Sequence, residues 1–405
     1  GAWFEEKGRH PNSLLRNRGD GTFEDVTIEA GLYSENPTQT ACWADFNNDG
    51  WLDLFIGNEN KRGSKYRHPC ELYLNQKDGT FKNIAKAAGV SVEVFAKGCA
   101  VADFNNDGWE DFYVSCLGEV NLLFENQGVT NEGIPRFRNV AQSAGVEEPL
   151  SSFPCWFFDY DNDGLQDIFV ADFDPLGFSN MGGLVALEMM GKETEAEKPR
   201  LYKNRGNGTF EDVTRKKGLW RSMFAMGANF GDLNNDGYLD FYIGTGAPDF
   251  RMIVPNLMFL NDGGEKFSDV TVEGRFGNIQ KGHAIGFGDL DNDGDQDVYA
   301  VMGGAVEGDT YHNLLFQNPG WENHWITLAL KGKISNRSAV GALIRVGVID
   351  KAGRQRYFYR RVGTGGSFGS SSLRQEIGLG ACRDIKSVEV KWPNGLDVWE
   401  KIEGV

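Results

Sequence analysis

The sequence predicts an all-β protein, a calcium-binding β-propeller followed by a small C-terminal β domain. Three observations carry this. An acidic nine-residue motif is written five times, short strand-like runs flank every copy, and a Gly-rich hairpin recurs between copies. First-Asp spacings of 58, 56, 73 and 57 residues fit units of four short strands, the sign of propeller blades that bury both faces only against neighbours.

The motif is Asp45-Phe-Asn47-Asn-Asp49-Gly-Trp51-Leu-Asp53. It returns as Asp103, Asn105, Asp107, Trp109 and Asp111, and as Asp159, Asp161, Asp163, Leu165 and Asp167. The last two copies are Asp232, Asn234, Asp236, Tyr238 and Asp240, then Asp289, Asp291, Asp293, Asp295 and Asp297. Side-chain oxygens at positions 1, 3, 5 and 9, Gly at 6 and a carbonyl at 7 are what a short loop needs to wrap a hard cation. All 25 residues are therefore candidate Ca²⁺ ligands, in about five sites.

An EF-hand is excluded. Position 12 is Ile56, Val114, Val170, Ile243 or Ala300 where an EF-hand needs a bidentate Glu, and the flanks read as strands. A metal-free turn would explain Asn-Asp-Gly alone, but not oxygens held at four positions in five copies.

The second half of each unit is equally regular. Leu14-Leu-Arg-Asn17 with Gly21-Thr-Phe-Glu-Asp-Val-Thr27 recurs at 72–85, 122–141, 201–214 and 257–271. Each copy reads as strand, turn, strand. Residues 10–27 supply only the last two strands of a blade, with five units following. Either an upstream segment completes that blade or the C-terminal part closes the ring. The chain starts at Gly1 without Met, so an upstream segment is expected to have been removed. The long third interval places an insertion within Asp172–Arg200, with a short helix expected over Leu184–Met190.

These repeats resemble FG-GAP/VCBS repeats over roughly residues 10–320. The tail, with Asn323-His-Trp-Ile-Thr-Leu328, Ile377-Gly-Leu-Gly380 and Val388-Glu-Val-Lys-Trp-Pro-Asn-Gly395, resembles an ASPIC/UnbV domain. The expected division is 1–320 and 321–405. The pairing is typical of the cartilage acidic protein family and its bacterial relatives; it implies secretion and Ca²⁺, and its propellers often have seven blades. No EGF-like module of the animal members is seen, which points to a bacterial relative.

A formal charge of −17 disfavours nucleic acid or an anionic membrane as partner. Eighteen of the acids lie in the five loops, so bound Ca²⁺ would offset much of it. With Kd near ~0.1 mM and free Ca²⁺ near ~1 mM, each site adds ~1.4 kcal/mol and five add about 7 kcal/mol. Cytosolic Ca²⁺ would leave such sites empty, so the chain is expected outside the cytoplasm, secreted or periplasmic. No run approaches a membrane span.

Little else points to chemistry. Six Cys lack a C-x-x-C pattern; Cys99 and Cys116 either face each other across a hairpin or are small buried apolar residues. Gly365-Gly-Ser367-Phe-Gly369 matches G-x-S-x-G without the strand and helix of a nucleophile elbow. Arg18-Gly19-Asp20 sits in a Gly-rich turn. Of the five His, His283 and, beside it in pattern, Lys97 are the candidates for a channel wall. The leading expectation is a recognition or scaffold protein binding an extracellular protein or glycan. The alternative is an extracellular enzyme acting on a polymer such as polysaccharide, in the channel or at the 172–200 insertion.

Overall fold

A computed structural model describes residues 11–60, 63, 65, 67–174, 180–247, 250, 253–304 and 307–403. The chain forms a β-propeller with antiparallel blades. A hairpin, β1 (Leu15–Asn17) and β2 (Phe23–Asp25), comes first. Blade 1 is β3 (Thr38–Ala44), β4 (Asp53–Asn58), β5 (Glu71–Asn75) and β6 (Phe81–Asn83), followed by the one-turn helix α1 (Ala85–Ala88). Blade 2 is β7 (Ala96–Ala102), β8 (Asp111–Cys116), β9 (Leu122–Val129) and β10 (Pro135–Asn139), followed by the one-turn helix α2 (Ala141–Ala144).

Blade 3 holds β11 (Ser152–Phe158) and β12 (Asp167–Asp172), then, beyond helix α3 (Met181–Met189), β13 (Arg200–Asn204) and β14 (Phe210–Asp212). Blade 4 is β15 (Ala225–Gly231), β16 (Asp240–Thr245), β17 (Leu257–Asn261) and β18 (Phe267–Asp269). The insertion thus carries the expected helix, starting three residues and ending one residue earlier than the sequence suggested; residues 175–179 of it lie outside the described set.

The fifth sheet has three strands: β19 (Gly282–Gly288), β20 (Asp297–Met302) and β21 (Leu314–Phe316). Five complete units were expected. After Asn318 the chain runs into Pro319, which has no N–H for a ladder, and Gly320 at φ 89. It then leaves the blade to become β22 (His324–Leu328).

The β-branched and aromatic second strands of blades 1 to 4 are buried on both faces because each packs between two neighbouring sheets. Phe55, Tyr113, Phe169 and Tyr242 are fully buried, and each faces the next blade. Opposite them in register stand Leu72, Leu123, Leu201 and Met258, also fully buried.

The C-terminal domain has its own core around Ile344, Val346, Val348, Val388 and Val390. It adds β23 (Leu343–Ile349), β24 (Gln355–Arg361), β25 (Gln375–Gly380), β26 (Ile385–Lys391) and β27 (Trp399–Lys401), in a sheet ordered β24-β23-β26-β27 beside the pair β22-β25. Between β24 and β25, the Gly/Ser-rich strap 363–372 enters the propeller among the first strands of the blades. Ser367 N–H donates to Cys155 O and its Oγ accepts Cys155 N–H, while Phe368 O accepts from Ala228 and Ile285. Phe368 also packs on Phe153, ring centroids 4.5 Å apart.

Candidate metal sites

Each loop is a cage of its own hydrogen bonds, joining the first two strands of its blade. The position-4 Asn and the position-6 Gly are left-handed throughout: Asn48, Asn106, Asn162, Asn235 and Asn292 at φ 55 to 62, and Gly50, Gly108, Gly164, Gly237 and Gly294 at φ 87 to 97. Asn tolerates this backbone among non-glycine residues, which is why the pair never varies. In every copy the Gly N–H donates to the position-1 carboxylate at 2.8–3.2 Å. The position-7 N–H donates to the position-5 carboxylate at 2.8–3.0 Å.

Position 9 does something else. One oxygen of Asp53, Asp111, Asp167, Asp240 and Asp297 accepts the position-2 N–H. The other accepts the N–H of an Asn on the third strand, Asn75, Asn126, Asn204 or Asn261, or, in the fifth sheet, of Asn318 just past it. These carboxylates staple loop to blade.

So much buried negative charge is costly. Burial, reinforced by the neighbouring acids, pushes Asp45 up to about 6, Asp232 to about 7, and Asp53 and Asp159 to about 8. The same causes hold Asp111, Asp167 and Asp240 well above the usual carboxylate range.

The residues fit a hard divalent cation. Ligand oxygens of Asp159, Asp161 and Asp167 lie within 4.8 Å of one another, as do those of Asp289, Asp291 and Asp293. Asp161 Oδ1 and Asp232 Oδ1 are buried with no hydrogen-bond partner. In loop 3 a protein cation already stands in, since the Lys203 ammonium contacts Asp161 and lies 2.9 Å from Asp163 Oδ2.

The sequence candidates are not all alike. Asn47, Asn105 and Asn234 turn their NH₂ to Asp49, Asp107 and Asp236 and leave an oxygen at position 3. The Asp295 carboxylate, counted among the acids of loop 5, accepts instead from Asn235 of loop 4 at 2.6 Å. Trp51, Trp109, Leu165 and Tyr238 join Asp295 at position 7, their N–H groups bound to position 5.

Residues 3–56, 45–114 and 159–243 match the FG-GAP-like repeat, and 332–404 match "ASPIC and UnbV". This is an FG-GAP-repeat protein with an ASPIC and UnbV domain. It is homologous to cartilage acidic protein 1. It is 30% identical to that protein from Xenopus tropicalis over 155 residues, 38% of this chain and 22% of that one. Against the Homo sapiens protein it is 26% identical over 279 residues, 68% and 38% of the two chains. Against the Mus musculus protein the identity is 26% over 281 residues, 68% and 39%. The chain thus spans under two-fifths of the length of these curated relatives. Among solved structures it is similar to the Dos1 propeller, TM-score 0.38 and 9% identity over 92% of this chain and 71% of that one. It is also similar to an exo-beta-1,3-galactanase from Phanerochaete chrysosporium with galactose, TM-score 0.34 and 8% identity over 96% and 98%. Neither score is high enough to bear on the site.

The FG-GAP loops use residues that the sequence reading passed over. The third-strand Asn is a latch between blades. Its Nδ2 donates across the seam to the position-2 carbonyl of the preceding loop: Asn126 to Phe46, Asn204 to Phe104, Asn261 to Tyr160 and Asn318 to Leu233, at 2.7–2.9 Å. The position-4 Asn hands on to the next loop, Asn48 to Gly108 O, Asn162 to Gly237 O and Asn235 to Gly294 O. Strict recurrence of both Asn residues was the available signal.

The other singled-out residues are structural. Cys99 pairs with Val114 and Cys116 with Ala96, so the two do not face each other, and all six thiols are free. Lys97 is fully buried against Glu59. His283 Nε2 lies 2.6 Å from Gly303 O, and His10 is outside the described residues. Asp20 of the Arg-Gly-Asp turn accepts from Thr22. Ser367 is part of the strap, without elbow geometry. No helix among the described residues is long and apolar enough to cross a membrane.

Proposed function

We propose that the chain is a secreted, calcium-stabilised recognition or scaffold protein, binding protein or glycan at the cell surface or in the extracellular matrix. The reading takes residues 1–320 as the propeller and 321–405 as the C-terminal domain. One observation carries it. Loops 1 to 4 confine carboxylates whose burial disfavours their charge, with Asp161 and Asp232 keeping unpartnered oxygens. Ca²⁺ at millimolar concentration would reverse the sign of that cost. Such concentrations are extracellular, which supports the location. When bound, the cation supplies charge neutralisation and fixes the hairpin; Asp at positions 1, 5 and 9 with the position-3 oxygen would hold it.

The rival, an extracellular enzyme acting on a polymer in the channel or at the 172–200 insertion, has less support in the channel. Lys97 and His283 are committed to Glu59 and Gly303, and the strap enters the channel.

The test is thermal unfolding of the intact chain in 1 mM Ca²⁺ against chelator. At ~1.4 kcal/mol per site over about five sites, the midpoint is expected to fall by about 8 °C on chelation. Equal midpoints, with no Ca²⁺ uptake by calorimetry, would sink the reading.

A further inference from the structure

Loop 4 differs from its four siblings, and the difference comes from the C-terminal domain. In loops 1, 2, 3 and 5 the position-1 carboxylate takes a second loop amide: its Oδ1 accepts the position-5 N–H, from Asp49, Asp107, Asp163 and Asp293, at 2.9–3.0 Å. In loop 4 the Asp236 N–H keeps only the bond to the position-3 Asn, Asn234 Oδ1, that loops 1 and 2 make in addition. Asp232 Oδ1 is left buried and unpartnered. Its other oxygen takes three donors, and two belong to the C-terminal domain. Besides the Gly237 amide at 3.0 Å, Oδ2 accepts Arg360 Nη2 at 2.9 Å and the Gly378 amide at 3.0 Å.

The contact is built, not incidental. Arg360 is 5% exposed and Asp232 1%, and the guanidinium also reaches Gly237 O at 3.3 Å. A Cβ on Gly378 would stand 2.3 Å from the Asn235 carbonyl carbon and 2.4 Å from Asp232 Oδ2. Only glycine lets β25 come this close. Alongside, Gly380 N–H donates to Asn235 O and Asn323 Nδ2 to Asn234 O. By contrast the cation at loop 3, Lys203, comes from the loop's own blade and is one-third exposed, free to swing away.

We propose that the C-terminal domain is part of the fourth metal site, with Arg360 a positioning residue that orients Asp232 so that its Oδ1 is the oxygen offered to the cation. The proposal rests on the calcium reading above. Groups that orient a metal ligand typically matter about 10–100-fold in affinity. Linkage is reciprocal, so a cation in loop 4 strengthens docking of the C-terminal domain as much as docking strengthens the site.

The experiment is a Ca²⁺ titration of the full chain, counting bound ions by native mass spectrometry, for wild type, Arg360→Gln and Gly378→Ala. Both variants are expected to weaken one site by about 10–100-fold and leave the others unchanged, with Arg360→Lys recovering part of the loss. Hydrogen exchange on the wild type is the second arm, and holds if the variants do not fold. Ca²⁺ is expected to slow exchange of the Gly378 and Gly380 amides. Unchanged affinities, equal weakening of every site, or Gly378 exchange indifferent to Ca²⁺ would overturn the proposal while the calcium reading stands. A wild type that takes up no Ca²⁺ would overturn both.

Discussion

The four seams between blades 1 to 5 and the two ends of the blade series are made from the same sequence pattern, yet they differ completely in burial. Within the series, Phe55, Tyr113, Phe169 and Tyr242 are fully covered by the next blade; the equivalent Tyr299 of the fifth sheet is 43% exposed. Leu72, Leu123, Leu201 and Met258 are fully buried, while Leu315 in the same register is 55% exposed. At the other end Leu15 and Phe23 of the first hairpin are 55% and 57% exposed. Their counterparts Tyr73 and Phe81 are covered around the next seam. An aromatic at a given repeat position stabilises nothing by itself. It becomes core only when a neighbouring sheet arrives, as expected of a fold whose repeats bury their faces pairwise.

The comparison is broken most forcefully by truncating its best-buried members. Phe169→Ala at the blade 3–4 seam opens a cavity lined by Trp156 and Phe241 and is expected to cost about 3–5 kcal/mol. Tyr299→Ala is expected to stay within about 0.5 kcal/mol. Denaturant unfolding of both variants in saturating Ca²⁺ measures the difference. Similar losses would mean that Tyr299 is covered in solution.

The same seam carries a titrating latch at its far end. Asp172 is fully buried and accepts the Met223 and Phe224 amides just ahead of β15. Burial pushes its carboxyl up to about 7. A raised carboxyl contributes stability that is complete below pH ~4 and is lost as pH rises through the folded value. The shift bounds this term at about 4 kcal/mol. Asp172→Asn is therefore expected to flatten the fall in stability between pH 4 and 7. A wild type and variant with parallel pH profiles would remove Asp172 from the account.

Much of this was legible in the sequence, and most of what was missed is long-range. Strand identity, loop placement and the repeat follow from local spacing, because Asn-Asp-Gly geometry and period-2 burial are set within a few residues. The register of Leu72 with Phe55 needs nothing beyond one blade. The roles of Asn126 and Arg360 could not be read that way. Asn126 meets Phe46 from 80 residues away and Arg360 meets Asp232 from 128; the Asn recurs at fixed spacing, but nothing local names the partner of either residue. The missing fourth strand of the last sheet turned on Pro319-Gly320, a breaker inside an otherwise familiar Asn318 repeat.

The smallest effect sharpens the comparison at the level of single hydrogen bonds. Asn261 Nδ2 bridges Leu239 O in its own blade at 3.2 Å and Tyr160 O across the seam at 2.8 Å. Asn75 is the same residue in blade 1, but among the described residues its Nδ2 reaches only Leu52 O at 3.0 Å. Among the described residues, no loop offers a carbonyl across the seam on that side. Removing a buried donor leaves its acceptors unpaired at about 1–3 kcal/mol. Asn261→Ala is thus expected near the top of that range and Asn75→Ala near the bottom. Chemical denaturation of the two variants, again with Ca²⁺ saturating, decides whether the cross-seam bond accounts for the gap. Equal costs would mean that the bond within the blade carries the latch, and that the seams are held by their aromatic faces alone.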